Sequence, residues 1–149
     1  LCENNEAEMF VTVWMGILDL STGVMTAANA GHEYPAFRKA DGEFELIKDK
    51  HGFVLAGLED VAYTDYEIRF EPGDTLYVYT DGVAEATNAE SKLFGTERML
   101  QALNGSPDKA CRKILENVSG GIHAFVQEAP QFDDITMVAL TYYGETGEH

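Results

Sequence analysis

Asp81, Asp133 and Asp134 are the residues whose setting asks for chemistry. Asp81 follows Thr75-Leu76-Tyr77-Val78-Tyr79, a run almost wholly apolar or β-favouring, which reads as a strand buried on both faces. A carboxylate at the end of such a strand must be hydrogen-bonded, paired or metal-bound, because burying it alone costs several kcal/mol. Gly82 lets the backbone approach a ligand closely. Asp133-Asp134 opens a second apolar run, Ile135-Thr136-Met137-Val138-Ala139-Leu140. Side chains alternate along a strand, so the adjacent pair does not share one face, and one of the two is expected to point at something positive. If the two segments neighbour each other in a sheet, Asp81 converges with one member of the pair. A cluster of hard oxygen donors selects Mg²⁺ or Mn²⁺ over zinc. Two such ions about 3.5–4 Å apart orient and deprotonate a bridging water and screen a phosphate ester during in-line attack. Spacing alone also admits a plainer alternative, in which Asp81 starts a turn and Asp133-Asp134 cap a strand end.

The elements that must hold these residues are mostly strands. Met9 to Leu18 is rich in β-branched and aromatic residues, Asp19-Leu20-Ser21-Thr22-Gly23 is turn chemistry, and Val24 to Ala30 returns as the second arm of a hairpin. Tyr34 to Arg38 reads as a short strand with Pro35 at its start or on an edge, since proline lacks a ladder N–H. Asp41-Gly42 turns it toward Phe44 to Ile47. Tyr66, Ile68 and Phe70 alternate with Glu67 and Arg69, the pattern of a strand with one buried face, and Glu71-Pro72-Gly73-Asp74 is a tight turn. Helices come late. Thr96 is a cap for a helix carrying Met99 and Leu103, and Ser106-Pro107-Asp108 starts another with Cys111, Ile114, Leu115 and Val118 on one face. Gly120-Gly121 is expected to end or kink that helix, and Ile135 to Tyr143 is the last strand. Six strands, then helices, then one strand make an α+β chain with antiparallel sheet.

A length of 149 residues fits one domain. The net charge of −16 excludes nucleic-acid binding driven by counterion release and disfavours contact with anionic membranes. With 45% hydrophobic residues the chain has enough apolar surface to fold, yet no apolar run suffices to span a bilayer. Leu1 to Glu6 is acidic and polar, unlike a signal peptide. Cys2 and Cys111 make neither a disulfide framework nor a zinc spacing, so the expected location is the cytoplasm, the full-length protein being free to carry a membrane tether elsewhere. Cys111 is expected to pack as a thiol inside its helix, and His32, in Ala30-Gly31-His32, to bond a backbone carbonyl in a turn rather than act as a catalytic acid.

Four segments in order resemble a known family. Leu76 to Ala86, with Tyr79-Thr80-Asp81-Gly82-Val83 at its centre, is similar to the "lYTDGv-Ea" segment of bacterial metal-dependent Ser/Thr protein phosphatases of the PPM (type 2C) superfamily, in the SpoIIE/RsbU-like subfamily. Met9-Phe10-Val11-Thr12 with Leu18 to Gly23 resembles its "mF-T … lD--tG" hairpin, Ala28 to Pro35 its "anAGH-pp", and Phe132 to Val138 its "-DDiTlv". The resemblance implies an α-β-β-α sandwich of antiparallel sheets with the metal site at one edge. It implies hydrolysis of phosphoserine or phosphothreonine on a regulatory protein, an anti-sigma antagonist by family analogy, by water activated between two Mn²⁺ or Mg²⁺ ions. Carried over, Asp81 and Asp133 are metal ligands, while Gly82, Asp134 and Glu85 support them without ligating; Glu85 serves equally as a cap for the segment after it. The family's "GGD-yD" strand and "D-sGHG" turn, which supply the bridging aspartate, have no counterpart in this sequence. Residues 1–149 are therefore expected to be the C-terminal two-thirds of one phosphatase domain, incomplete at the N-terminus, inactive alone, and exposing a sheet edge that offers a route to a homodimer. The rival reading is a non-catalytic phosphatase-like module that binds a partner protein.

Overall fold

The computed structural model describes residues 10–48, 52–56, 61–105, 108–130 and 133–145. Among these the elements run β1 (Val13–Asp19), β2 (Val24–Ala30), β3 (Ala36–Arg38), β4 (Glu45–Leu46), β5 (Asp65–Arg69), β6 (Thr75–Tyr79), α1 (Asp81–Ala84), α2 (Gly95–Asn104), α3 (Cys111–Val126) and β7 (Met137–Thr141). All strand pairs are antiparallel, and the fold is of the expected α+β class. The chain forms two compact units. One comprises Leu1–Tyr34, Lys48–Pro72 and Tyr142–His149, the other Pro35–Ile47 and Gly73–Thr141.

The first unit holds the three-stranded sheet β1-β2-β5. β1 and β2 form the hairpin the turn residues call for, in register from Val13 opposite Ala30 to Asp19 opposite Val24. The Asp19 carboxylate accepts from the Ser21 hydroxyl at 2.6 Å and from the Ser21 and Thr22 backbone N–H groups, which closes the turn and holds the carboxyl below its ordinary pKa. β5 buries Ile68 and exposes its acidic neighbours, as the alternation requires. Trp14 reaches across β2 to donate its indole N–H to the Tyr66 hydroxyl at 2.8 Å. β1 is an edge strand, and its Met15 and Ile17 are exposed. His32 departs from expectation. Its Nδ1 meets the Thr12 hydroxyl at 3.1 Å rather than a carbonyl, while the turn itself is closed by the Asn29 side chain, which bonds the His32 backbone at both N–H and C=O.

The second unit holds the four-stranded sheet β4-β3-β6-β7 with α2 and α3 packed on it. β6, central and apolar, is buried at Thr75, Leu76, Tyr77 and Tyr79. Ala36, Phe44, Tyr77 and Tyr79 meet Phe94, Met99, Leu103, Ile114, Val118 and Ile122 in one core. Burying each of the larger side chains contributes about 1.5–3 kcal/mol. Desolvation, with the adjacent Tyr79 secondary, pushes the Tyr77 phenol well above its ordinary pKa. Gly73 takes φ 97° in the turn before β6, the left-handed corner that Pro72-Gly73 predicts.

Several boundaries differ from the sequence reading. Thr96 lies inside α2, whose N-terminal flank is Phe94 with no side-chain cap. α3 begins at Cys111, not near Ser106 and Pro107, which lie outside the described residues; Asp108 instead accepts from the Ala110 N–H just ahead of the helix. Gly120-Gly121 neither ends nor kinks α3. The helix continues because its buried face, Ile114, Val118 and Ile122, packs in the core on both sides of the glycine pair, which outweighs their low helix propensity. Helical structure also begins earlier than expected, with α1 directly after β6.

Candidate metal centre

Two backbone segments meet at the end of the four-stranded sheet. β6 and β7 pair from Thr75 opposite Thr141 to Tyr79 opposite Met137. Beyond that last pair the ladder is carried on by Thr80. Its N–H donates to the Thr136 carbonyl at 3.0 Å, its hydroxyl donates to the Asp134 carbonyl at 3.1 Å, and the same hydroxyl accepts from the Thr136 N–H at 3.0 Å. One threonine thus latches the Thr80-Asp81-Gly82 segment to Asp134-Ile135-Thr136. Sequence reasoning quoted Thr80 within its motif without giving it this role. A hydroxyl residue between an apolar strand and an aspartate was the available signal.

Directly after the latch the chain turns into α1, with Asp81 as its first residue and Val83 buried beneath. The turn lifts Asp81 out of the strand, so its carboxylate is exposed. The burial cost inferred from its strand-end position therefore does not apply; a single helical turn relieves it. The Asp81 Oδ1 accepts from the Gly82 N–H at 2.9 Å, and the Glu85 N–H closes the turn on the Asp81 carbonyl at 2.8 Å. Asp133 and Asp134 are likewise exposed ahead of β7, and the Asp133 Oδ1 accepts from the Asp134 N–H at 2.7 Å. Asp134 acts through its backbone: its carbonyl takes the Thr80 hydroxyl and packs against Gly82, where an added Cβ would stand 2.5 Å away. Only glycine admits that approach. Gly82, Glu85 and Asp133 line one cavity of about 520 Å³; Asp81 is not among its lining residues.

The donor chemistry fits a hard divalent cation in part. Two exposed carboxylate residues, Asp81 and Asp133, sit on segments bound to each other through Thr80. Among the described residues no group of three His, Cys, Asp or Glu side chains is placed to hold a metal ion. Mg²⁺ and Mn²⁺ prefer about six oxygen ligands, so these two carboxylates furnish a minority of the set.

The stage II sporulation protein E (SpoIIE) family model matches residues 1–143, and the chain belongs to that family. It is 30% identical over 138 residues to protein IcfG of Synechocystis, covering 93% of this chain and 22% of that protein. It is 25% identical over 140 residues to the phosphoserine phosphatase RsbU of Bacillus subtilis, covering 93% of this chain and 41% of that protein. The phosphatase domain of the cell-fate determinant SpoIIE from Bacillus subtilis, solved from a manganese-presoaked crystal, superposes with a TM-score of 0.70 at 14% identity, over 93% of this chain and 59% of that one. The chain therefore spans well under half the length of the two curated relatives, and the solved structure bears on the fold.

Proposed function

We propose that this chain is the C-terminal two-thirds of a metal-dependent Ser/Thr protein phosphatase domain, with Asp81 and Asp133 as carboxylate ligands of the Mn²⁺ or Mg²⁺ it uses. The observation that carries the reading is the Thr80 latch, which joins the Asp81 and Asp133-Asp134 segments at adjacent strand ends. Support also comes from the relative named a phosphoserine phosphatase and from coverage of 59% of a solved phosphatase domain. When bound, divalent ions supply Lewis-acid charge and a water of lowered pKa for attack on the phosphate ester. The residues of this chain have a positioning role. Thr80 fixes the separation of the two segments, Gly82 allows them to touch, and Asp134 holds the contact through its carbonyl. Remaining ligands come from water and from outside the described residues.

The substrate is a phosphoserine- or phosphothreonine-bearing regulatory protein, an anti-sigma antagonist by analogy with the family. The exposed edge strand β1, with Met15 and Ile17, is the surface for a homodimer. No helix among the described residues is long and apolar enough to cross a membrane. The rival reading, a phosphatase-like module that only binds a partner, draws on the lack of a three-residue metal group among the described residues.

The test uses the full-length protein with Mn²⁺ and p-nitrophenyl phosphate. Asp81→Asn and Asp133→Asn are each expected to lower kcat/KM by about 100-fold or more, since the ion supplies several kcal/mol to the transition state, and to weaken Mn²⁺ binding by calorimetry. Full turnover in either variant overturns the ligand assignment. A wild-type protein without turnover supports the binding module.

A further inference from the structure

A cavity of about 520 Å³ opens beside Asp133 and lies wholly within the second unit, between the segment after α1, the C-terminal half of α3 and the approach to β7. That volume falls in the range of about 300–1,000 Å³ typical of ligand clefts. Gly82 and Asp133 belong both to its lining and to the segments that meet at the candidate metal centre, so a phosphoserine held there stands at the cavity's mouth. Leu93, Ile122, Val126, Ile135 and Met137 make an apolar wall. Leu93 is exposed, yet its loop is braced. The Phe94 N–H donates to the Ala86 carbonyl at 2.7 Å and the Asn88 N–H to the Lys92 carbonyl at 3.0 Å, while the Asn88 side chain accepts from the Glu90 and Lys92 N–H groups at 3.0 Å. Phe94, next in the chain, is buried in the core. A leucine is thus held out to solvent by a fixed turn.

The polar part of the lining is already engaged. The Thr87 hydroxyl donates to the Glu85 carbonyl at 2.7 Å, and His123 Nδ1 lies 2.8 Å from the Ser119 carbonyl and 3.4 Å from the Ser119 hydroxyl. Glu85 and Gln127 are exposed at the rim, where water serves them, and Asp133 is the proposed metal ligand. Groups with partners in place gain little from a polar ligand, so the surface left to be covered is apolar. We propose that the cavity receives a large aliphatic side chain of the phosphoprotein substrate, from one of the first few residues flanking the phosphoserine. The inference rests on the phosphatase reading and goes beyond it by naming the side-chain chemistry that selects the substrate. An extended chain advances about 3.3–3.6 Å per residue, so a near neighbour of the phosphoserine reaches the wall. Leucine, isoleucine or methionine covers that wall without disturbing the polar bonds. An acidic side chain meets the Glu85 carboxylate and a protein of net charge −16. A lysine finds only Glu85, which is exposed, and ion pairs between exposed groups contribute little.

The experiment gives the full-length protein, with Mn²⁺, phosphoserine peptides in which Leu, Ala, Lys or Asp is placed in turn at each flanking position, and measures kcat/KM for phosphate release. A parallel fluorescein-labelled set, carrying a non-hydrolysable phosphonate in place of the phosphate, gives Kd by anisotropy. At one flanking position Leu is expected to exceed Ala by about tenfold in both sets and Asp by more, with Lys close to Ala. Leu93→Asp, at an exposed lining residue, should bring the Leu-to-Ala ratio close to one and raise Lys above Ala; Leu93→Lys should raise Asp instead. A residue that only braced its loop would shift all four peptides together. Circular dichroism reads whether each variant is folded. No Leu preference at any position, a Lys preference in the wild type, or a Leu preference that survives both substitutions overturns the pocket. Hydrolysis of the peptides without a Leu preference overturns the pocket alone. Leu-selective binding of the phosphonate peptides without hydrolysis of any phosphoserine peptide supports the pocket and overturns the phosphatase reading.

Discussion

Gly82→Ala isolates the contact on which the metal-centre proposal depends. Gly82 is the second residue of α1, and its φ lies outside the left-handed region, so helix propensity alone predicts a gain of up to about 1 kcal/mol from alanine. The surroundings predict the opposite. The new Cβ falls 2.5 Å from the Asp134 carbonyl oxygen and 3.1 Å from its carbonyl carbon, where ordinary contact begins at 3.4 Å. Both are backbone atoms, so relief requires the two segments to part by about 1 Å. The Thr80 hydroxyl bonds to Asp134 and Thr136, now 3.1 and 3.0 Å, do not survive that separation. Losing both costs about 2 kcal/mol, leaving a net destabilisation of about 1 kcal/mol after the propensity gain. For a chain of this size the melting temperature should fall by about 3 °C, measured by circular dichroism in EDTA. With Mn²⁺ added, turnover should fall as well, because the carboxylate-bearing segments have moved apart. A Gly82→Ala protein that melts at or above the wild-type temperature would refute the close approach of these segments, and with it the structural basis for joining Asp81 to Asp133.

Gly120→Ala provides the contrasting case. No atom lies within 4 Å of its added Cβ in the middle of α3, so the variant should be stabilised by about 0.5–1 kcal/mol, read from urea unfolding. Ser21→Ala removes the hydroxyl that lies first among the groups lowering the Asp19 pKa, so carboxyl NMR should show Asp19 titrating closer to its ordinary value. Because the folded value is depressed, the Ser21 contacts stabilise the hairpin above the ordinary carboxylate range and lose that effect as pH falls through the folded pKa; the variant should therefore differ from wild type near neutral pH and converge with it in strong acid.

The strands were legible in the sequence because burial leaves a local imprint. Alternation around Ile68 and the continuous apolar run from Thr75 to Tyr79 report one-faced and two-faced burial directly, and the turn residues at Asp19 to Gly23 and at Pro72-Gly73 act through their own backbone preferences. Asp81 and Asp133 were also visible as carboxylates where apolar runs end or begin. Errors arose where neighbours distant in sequence override local preference. Gly120 and Gly121 sit inside an unbroken helix because Ile114, Val118 and Ile122 around them are held in the core, and Thr96 does not cap α2 because the helix has already started at Gly95. What only the tertiary structure decided is the pairing of β6 with β7, and through it the meeting of Thr80 and Gly82 with Asp134. Sequence periodicity records which face of a strand is buried; it carries no record of which strand lies alongside, since that depends on the backbone hydrogen bonds and close packing that form only when the whole sheet closes.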